Sequence, residues 1–275
     1  MTNVKTVWRK AQSMLLFIVL LLFISPFFMI LLNSLKKNKD ITSKPFALPA
    51  SLNMENFVTA FQKMNYVHAF FNSLIITVCS VALIALFASM TAHYFVRNKT
   101  RINQATFMMM VAAMIIPFQA IMIPLVQIYG SLNLMNSKGA LIYLYIGFGS
   151  SLAVFIYHGF IKSIPKELEE AAMMDGCSLL QTFFKIVLPV LIPTTVTITI
   201  LNVLWIWNDF LLPSLVLIEG EQRTLPLSTF YFYGTYTADY GPLMASLLLT
   251  ILPVVVIYLF AQKYIIQGVM QGSIK

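Results

Sequence analysis

The chain has 275 residues, of which 59% are hydrophobic and only 10% are charged. A soluble domain is roughly 45–50% apolar and about 25% charged, so this composition excludes an ordinary soluble protein. The formal charge is +8, but Lys and Arg lie in short clusters between apolar runs, a pattern typical of membrane-protein loops. The two cysteines, Cys79 and Cys177, belong to no CxxC or Cys/His cluster and indicate neither a zinc site nor redox chemistry.

Six stretches of the chain are apolar and long enough to cross a bilayer. They lie at about residues 14–32, 69–92, 104–129, 139–161, 189–210 and 241–262. The charged residue among them, Asp209, stands at the edge of the fifth stretch. The sequence therefore predicts an all-α membrane protein with six transmembrane helices, flanked by an N-terminal segment at 1–13 and a tail at 263–275.

The positions of the basic residues predict the orientation of these spans. Clusters at 97–101 and 162–185 fall in loops on the same side as both termini. Because Lys and Arg are enriched in short cytoplasmic loops, we expect both termini to be cytoplasmic. The first outer loop, at 33–68, contains a mixed stretch at 54–64 that is predicted to form a short surface helix.

The sequence carries few of the patterns that catalysis requires. The three histidines, His68, His93 and His158, are isolated, and neither HExxH nor GxSxG occurs. A phosphate-binding P-loop requires Gly-Lys followed by Ser or Thr, and the chain contains no Gly-Lys pair. The apolar stretches also lack the ionisable groups of a proton relay. We therefore expect a non-enzymatic protein, and if it is a transporter, one that another subunit energises.

The inner loop at 162–188 is the most informative part of the chain. Ser163 is predicted to cap a helix that runs through three glutamates and two alanines, and Gly176 is placed to end it in a left-handed turn. A second amphipathic stretch, 179–187, leads into Pro189. Four acids, at 167, 169, 170 and 175, favour a protein partner over an anionic membrane surface, although an amphipathic surface helix stays an alternative.

Residues of this loop resemble the EAA motif of ABC importer permeases. Glu170-Ala171-Ala172, three residues, Gly176, nine residues and Ile186-Val187-Leu188-Pro189 match every fixed position of E-A-A-x3-G-x9-I-x-L-P. Trp207-Asn208-Asp209-Phe210 and the tail Gly272-Ser273-Ile274-Lys275 resemble the sugar-importing subfamily of the maltose type. The tail lacks the glycine that often follows the final lysine. The resemblance covers essentially the whole chain and implies the type I ABC importer permease architecture.

The resemblance also implies a set of partners and coupling residues. The EAA helix of the family docks on a cytoplasmic ATPase dimer, which binds ATP and Mg²⁺, so this chain is expected to hold no cofactor. By position the ATPase-coupling residues are Glu170, Ala171, Ala172 and Gly176, with Asp175 beside them. The further implied partners are a second permease in a heterodimer and an extracytoplasmic solute-binding protein, toward which the loop at 211–240 is expected to reach. The implied location is the bacterial cell membrane.

The polar residues at membrane depth suggest a neutral cargo. Amides beside aromatic rings suit a polyhydroxylated solute, whereas an anionic solute is normally matched by Arg or Lys. The candidate substrate-pathway residues are Gln119, Asn202, Trp205, Trp207 and Asn208, and Asn72 and Gln127 share the same chemistry. Helix–helix hydrogen bonding or placement at the membrane interface is the alternative role of each.

Other interpretations of the whole sequence stay open at this point. A scaffold membrane protein with a partner-binding inner loop, a cofactor-dependent membrane enzyme and a permease for another solute are the alternatives. Prolines 117, 124, 193 and 253 fall within the predicted spans, where each either shapes helix packing or forms a hinge.

Overall fold

The computed structural model describes residues 2–232 and 239–273, and it describes side chains for 8–232, 239–260 and 262. The described residues form α-helices joined by short turns. The helices, in chain order, are α1 Thr2–Ser34, α2 Asn38–Ser43, α3 Glu55–Lys63, α4 Tyr66–Arg97, α5 Arg101–Ala113, α6 Phe118–Ser131, α7 Lys138–Ile161, α8 Glu167–Met174, α9 Leu179–Thr182, α10 Leu188–Val190, α11 Ile192–Asn208, α12 Leu211–Val216, α13 Leu225–Ser228 and α14 Tyr240–Ser273. A π-helical segment, Phe183–Val187, joins α9 to α10, and 3₁₀ turns occupy Gly220–Gln222 and Thr229–Phe232.

Within this described part, four helices are long and apolar enough to cross a membrane: α1 from Trp8, α4, α7 and α14 to Phe260. Two further pairs of helices are long and apolar enough when taken together, but each is bent at a short break: α5 with α6 by 102°, and Leu179–Val190 with α11 by 75°. Counting each pair as one span gives up to six, so the prediction of an all-α membrane protein is confirmed. The predicted continuous helix at 104–129 is instead interrupted at residues 114–117.

Two of the four prolines singled out in the sequence lie at these breaks. Pro117 precedes α6 with an extended ψ of 136°, and Pro193 occupies the first turn of α11. A proline lacks the N–H donor and disfavours helical backbone in the residue before it, which explains why a helix ends there and another begins. Pro124 and Pro253 lie inside α6 and α14, which continue through them.

The structure divides into two units. The first comprises the described residues of Met1–Val67 and Ser228–Pro253. Its polar contacts gather where α1 ends: the buried Lys36 ammonium donates to Asn33 Oδ1 and to the carbonyls of Lys44 and Pro45 at 2.9–3.2 Å. The predicted short helix of the first loop is present here as α3, whose Asn56 donates to the carbonyls of Ser34 and Lys36 at 2.8 Å.

The second unit comprises His68–Leu227 and the described residues of Val254–Lys275. Its core is the packing of α4, α7 and α11, with fully buried Ile84, Leu141 and Ile198. Gly149 on α7 marks a close approach, because a Cβ there would lie 2.6 Å from Ile84 Cδ1 and 2.9 Å from Asn202 Oδ1. The predicted coupling loop and all the candidate pathway residues belong to this unit.

The two terminal segments predicted from the sequence, 1–13 and 263–275, lie partly outside the described residues. Residue 1, the side chains of 1–7 and the last two residues of the tail, Ile274 and Lys275, lie outside the described residues. Helix α1 already begins at Thr2, and α14 continues to Ser273, past the predicted end of the last span at 262.

Candidate functional site

The candidate site is the loop at 162–188, in which α8 and α9 meet at a glycine turn. Helix α8 begins at Glu167, so the prediction that Ser163 caps it is wrong. The Ser163 hydroxyl instead donates to the Phe160 carbonyl at 2.7 Å and closes the end of α7. The first turn of α8 carries Glu167, Glu169 and Glu170, and negative charge there is favoured by the helix dipole.

Gly176 ends α8 in the predicted left-handed conformation, with φ of +87°. The Cys177 N–H donates to the Ala172 carbonyl and the Gly176 N–H to the Met173 carbonyl, both at 3.0 Å. This pair of bonds is the Schellman arrangement, in which a residue with positive φ satisfies the last carbonyls of a helix. A Cβ at Gly176 would meet no atom within 4 Å, so backbone conformation and not space requires glycine.

Helix α9 begins with a capping box that the sequence analysis missed. The Ser178 hydroxyl accepts from the Gln181 N–H at 3.3 Å, and the Gln181 side chain accepts from the Ser178 N–H at 2.9 Å. The Ser-x-x-Gln spacing in the sequence is the signal that predicts it. The glycine turn is therefore fixed on both sides by hydrogen bonds, which sets the direction of α9 relative to α8.

The predicted coupling residues divide by exposure. Glu170, Ala171, Asp175 and Gly176 are exposed, whereas Ala172 is buried. Met173 and Met174 add an apolar surface, and Met174 is 89% exposed. The loop thus presents small, acidic and flexible apolar side chains together, a surface that can adapt to a protein.

Glu169, in contrast to Glu170, is buried and its side chain binds α4. Arg97 donates to Glu169 Oε1 from Nε at 2.9 Å and from Nη2 at 2.6 Å, and His93 Nε2 lies 2.9 Å from Oε2. Arg97 also donates to the Ile164 carbonyl at 3.1 Å. The expectation that all four acids of this loop serve a partner is therefore wrong for Glu169, which holds α8 to the end of α4.

The electrostatics of Glu169 follow from this pairing. Burial by itself raises the pKa of the Glu169 carboxyl, but hydrogen bonds from Arg97 and His93 and their charges outweigh it. The pKa therefore lies below its ordinary value, and the carboxylate is ionised at neutral pH.

A cavity of about 440 Å³ lies beside this ion pair, between the end of α4 and the α8–α9 turn. Its walls combine the charged groups with an apolar surface and are formed by Met90, His93, Tyr94, Arg97, Asn98, Lys166, Glu169, Glu170, Met173, Leu179, Leu180 and Phe183. Among the described residues, no group of three or more His, Cys, Asp or Glu side chains is placed to hold a metal ion.

The candidate pathway residues are not brought together into one polar surface. Asn202 is buried and donates to the Ile198 carbonyl of its own helix at 2.9 Å, and Trp207 is buried against Phe70. Trp205 is 42% exposed and packs edge-on against Tyr145. Asn208 is exposed at the end of α11 and donates to the Leu204 carbonyl at 2.7 Å. Gln119 and Gln127 are exposed on α6.

Two polar residues near these positions have defined partners. Asp209 accepts a hydrogen bond from the Tyr145 hydroxyl at 2.9 Å and caps the Leu211 N–H at 3.0 Å. Asn72 is buried and is bonded to the backbone at 221 and 223 and to Lys138. The structure thus gives Asn202, Asn72 and Trp207 places in the packing, and leaves Trp205 and Asn208 as the exposed members at the end of α11.

The sequence of this chain is similar to those of known transport-system permeases. The family model described as "Binding-protein-dependent transport system inner membrane component" matches residues 82–271. The chain is 46% identical over 93% of both chains to the probable starch degradation products transport system permease protein AmyC of Thermoanaerobacterium thermosulfurigenes. It is 38% identical, again over 93% of both, to the multiple sugar-binding transport system permease protein MsmG of Streptococcus mutans.

The fold also matches a solved structure. A chain of a bacterial ABC transporter involved in the import of the acidic polysaccharide alginate superposes with a TM-score of 0.81, over 94% of this chain and 96% of that one, at 22% identity. This likeness supports the architecture, and the sequence matches support the membership. The chain therefore belongs to the family of binding-protein-dependent transport system inner membrane components, the non-catalytic, multi-pass permease subunits of bacterial ABC importers.

Proposed function

We propose that this chain forms half of the translocation pathway of an ABC importer for a neutral sugar or oligosaccharide, and that α8 couples it to a cytoplasmic ATPase. The coupling role is supported mainly by a difference between two adjacent glutamates. Glu169 is paired with Arg97 inside the protein, while Glu170 points outward beside Ala171 and Gly176. Glu169 thus anchors α8 to α4, and the exposed Glu170 and Ala171 are left for a partner.

The shape of the loop supports this role. A helix that is to transmit movement needs a fixed geometry at both ends, and α8 has an ion pair near its start and a Schellman turn at its end. Exposed Ala171 allows a partner surface to approach closely, and Met173 and Met174 adapt to it. Glu170 and Asp175 favour a partner surface with basic groups.

A carbohydrate cargo is supported by the relatives and by the charge pattern. The relatives named above are permeases of starch-degradation-product and multiple-sugar systems. Asp209, at the edge of the fifth stretch, is the charged residue within the six apolar stretches, and none of them contains Lys or Arg. A pathway for an anion normally offers cations, so this pattern supports a neutral solute. Trp205 and Asn208, exposed at the end of α11, are the residues we propose for contact with it.

The proposal extends to the assembly and its orientation. The partners are a second permease, an ATPase dimer that binds ATP and Mg²⁺, and a solute-binding protein that meets the loop at 211–240. Both termini and the loop at 162–188 lie in the cytoplasm, with the transmembrane domain at 14–262. The basic clusters at 97–101 and 162–185 support this orientation.

The test is a reconstituted complex in lipid vesicles that contains this permease, the second permease, the ATPase and the sugar-loaded binding protein. We expect uptake of radiolabelled maltotriose to exceed uptake of radiolabelled glycerol phosphate. We also expect Glu170→Gln to reduce the ATP hydrolysis that the loaded binding protein stimulates. Glu167→Gln is the matched control, because Glu167 is an exposed glutamate in the same turn but outside the coupling motif.

Two results would overturn the proposal. Faster transport of glycerol phosphate than of maltotriose would reject the neutral cargo. Equal stimulated hydrolysis in the Glu170→Gln and Glu167→Gln complexes would reject the coupling role of Glu170.

A further inference from the structure

The end of α4 that lies far from the coupling loop is bonded to the segment between α12 and α13. The Asn72 amide donates to the carbonyls of Glu221 and Arg223 at 2.9 and 3.0 Å. Its Oδ1 accepts from the Lys138 ammonium at 2.6 Å. Asn72 is only 2% exposed, so its amide is shielded from competition by water, which strengthens its bond with the Lys138 ammonium.

The next residue of α4 makes a second bond to the same segment. The Ser73 hydroxyl, also 2% exposed, accepts from the Leu225 N–H at 2.7 Å. Residues 221–225 are therefore fixed to α4 by two consecutive side chains. The turn that precedes them, Ile218 to Gly220, is exposed.

Helix α4 has a second anchor at its other end. His93 and Arg97 bind Glu169 of α8, and Arg97 also binds the Ile164 carbonyl. One continuous helix thus carries a polar anchor for the 221–225 segment and, 25 residues later, an ionic anchor for the coupling helix. At 1.5 Å per residue the two anchors are about 37 Å apart along the helix axis.

The helix between the two anchors is built to be stiff. The sequence of α4, Tyr66–Arg97, contains neither proline nor glycine, and these residues are the usual causes of helix bending. Ile76, Ile84, Ala88 and Ala92 are at most 1% exposed and hold the helix in the core. By contrast, α1, α6 and α14 contain prolines, and the predicted fifth span is broken before α11.

We propose that α4 couples the 221–225 segment to the coupling helix, with Asn72, Ser73 and Lys138 as positioning residues at one end and His93 and Arg97 at the other. Displacement of the segment by the docked binding protein then moves α4 and, through Glu169, moves α8. This proposal rests on the proposed function, since it requires a binding protein on one side and an ATPase on the other.

The experiment is a double-mutant cycle in the reconstituted complex. The measured quantity is the ratio of ATP hydrolysis with and without sugar-loaded binding protein, because a defect in assembly changes both rates together. Ser73→Ala removes one bond at the first anchor, and Arg97→Lys keeps a cation at the second but loses the guanidinium geometry. We expect each to reduce the ratio about threefold, and the double variant to reduce it about threefold as well and not about ninefold.

A matched control loosens the turn that precedes this segment, Ile218 to Gly220, without touching α4. Asn136, which lies between α6 and α7, accepts from the Ile218 and Glu219 N–H groups at 2.7 and 3.0 Å. Its φ is +58°, so Asn136→Gly removes the acceptor without backbone strain. We expect Asn136→Gly and Arg97→Lys to act independently, so that their combined effect is the product of the two.

The outcomes separate this proposal from the function on which it rests. If the unmodified complex shows no stimulation by loaded binding protein, the proposed function itself is wrong. If stimulation is normal but Ser73→Ala and Arg97→Lys multiply as the control pair does, only the role of α4 is overturned. Lys138→Met provides a second variant at the first anchor and is subject to the same comparison.

Discussion

The two ends of α4 are held by different chemistry. At the coupling loop, a guanidinium and an imidazole bind one carboxylate, with donor–acceptor distances of 2.6–2.9 Å. At the other end, an amide and a hydroxyl bind backbone groups of the 221–225 segment, supported by one ammonium. Ion pairs between side chains fix a helix as a whole, while side-chain bonds to the backbone fix the path of an irregular segment. The two anchors therefore suit the elements that they hold.

The largest expected effect comes from changing the turn that aims the coupling helix. Gly176→Val requires a β-branched residue at φ of +87°, a conformation that such residues rarely adopt. We expect α8 and α9 to lose their mutual orientation and sugar uptake to fall at least tenfold, while solute binding to the binding protein stays intact.

Gly159→Val is the matched control for this change. Gly159 lies on α7, and a Cβ there also meets no atom within 4 Å. Uptake is measured with radiolabelled maltotriose in vesicles, and near-normal uptake by the Gly176→Val complex would contradict the coupling role of the turn.

The next effect concerns the stability of the ionic anchor. Arg97→Met leaves the Glu169 carboxylate, whose side chain is 9% exposed, without its main partner. Breaking a buried pair on one side costs about 3–5 kcal/mol, and less where water reaches it. We expect Arg97→Met to lower the thermal midpoint of the purified complex in detergent. Glu167→Gln should change the free energy of unfolding by no more than about 0.5 kcal/mol and leave the midpoint nearly unchanged. Equal midpoints for Arg97→Met and Glu167→Gln would show that the ion pair contributes nothing.

The ionic anchor also predicts a pH dependence. The pKa of Glu169 is lower in the folded protein than its ordinary value of 4.5, so the unfolded chain binds the proton more readily. The stabilisation is therefore complete above pH 4.5 and is lost as the pH falls through the folded-state pKa. We expect the difference in thermal midpoint between the unmodified protein and Glu169→Gln to shrink as the pH falls below 4.5. A difference that does not shrink at pH values below 4.5 would refute the assignment.

A smaller effect is expected at the proposed sugar contact. Asn208 is exposed at the end of α11, and loss of one hydrogen bond of about 1 kcal/mol reduces a rate about fivefold. We expect Asn208→Ala to slow maltotriose uptake by this amount without weakening ATPase assembly. Asn202→Ala, which removes a buried amide beside Gly149, should instead lower the thermal midpoint. If both variants slowed uptake at an unchanged midpoint, or both lowered the midpoint, the assignment of Asn208 to sugar contact and of Asn202 to packing would be wrong.

The last prediction changes no activity and tests which end of α4 faces which side. Glu219 and Lys99 are both exposed. The two native cysteines, Cys79 and Cys177, are first replaced by serine, because their free thiols would also react with the reagent. We expect Glu219→Cys to react with an impermeant thiol reagent added to whole cells, and Lys99→Cys to react only after the membrane is opened. External labelling at position 99 would reverse the orientation of the chain.

Local features were readable from the sequence because their determinants are close together in it. The left-handed turn at Gly176, the exposed methionines and the apolar stretches follow from glycine conformational freedom and from hydrophobic length. The capping box at Ser178 and Gln181 was equally local, and its Ser-x-x-Gln spacing was available to sequence reasoning.

The tertiary structure decided what depends on which helices are neighbours. Glu169 and Arg97 are 72 residues apart, and Asn72 and Glu221 are 149 apart, so no local pattern distinguishes Glu169 from Glu170 or assigns Asn72 to the 221–225 segment. The same limit applies to Ser163, whose hydroxyl closes α7 and does not start α8. The sequence by itself determined which segments are apolar helices and where the coupling turn lies, since hydrophobicity and backbone preference act locally. Only packing decided which polar groups are paired inside the protein and which stay exposed to a partner, because a buried polar group takes whatever partner the fold brings within bonding distance.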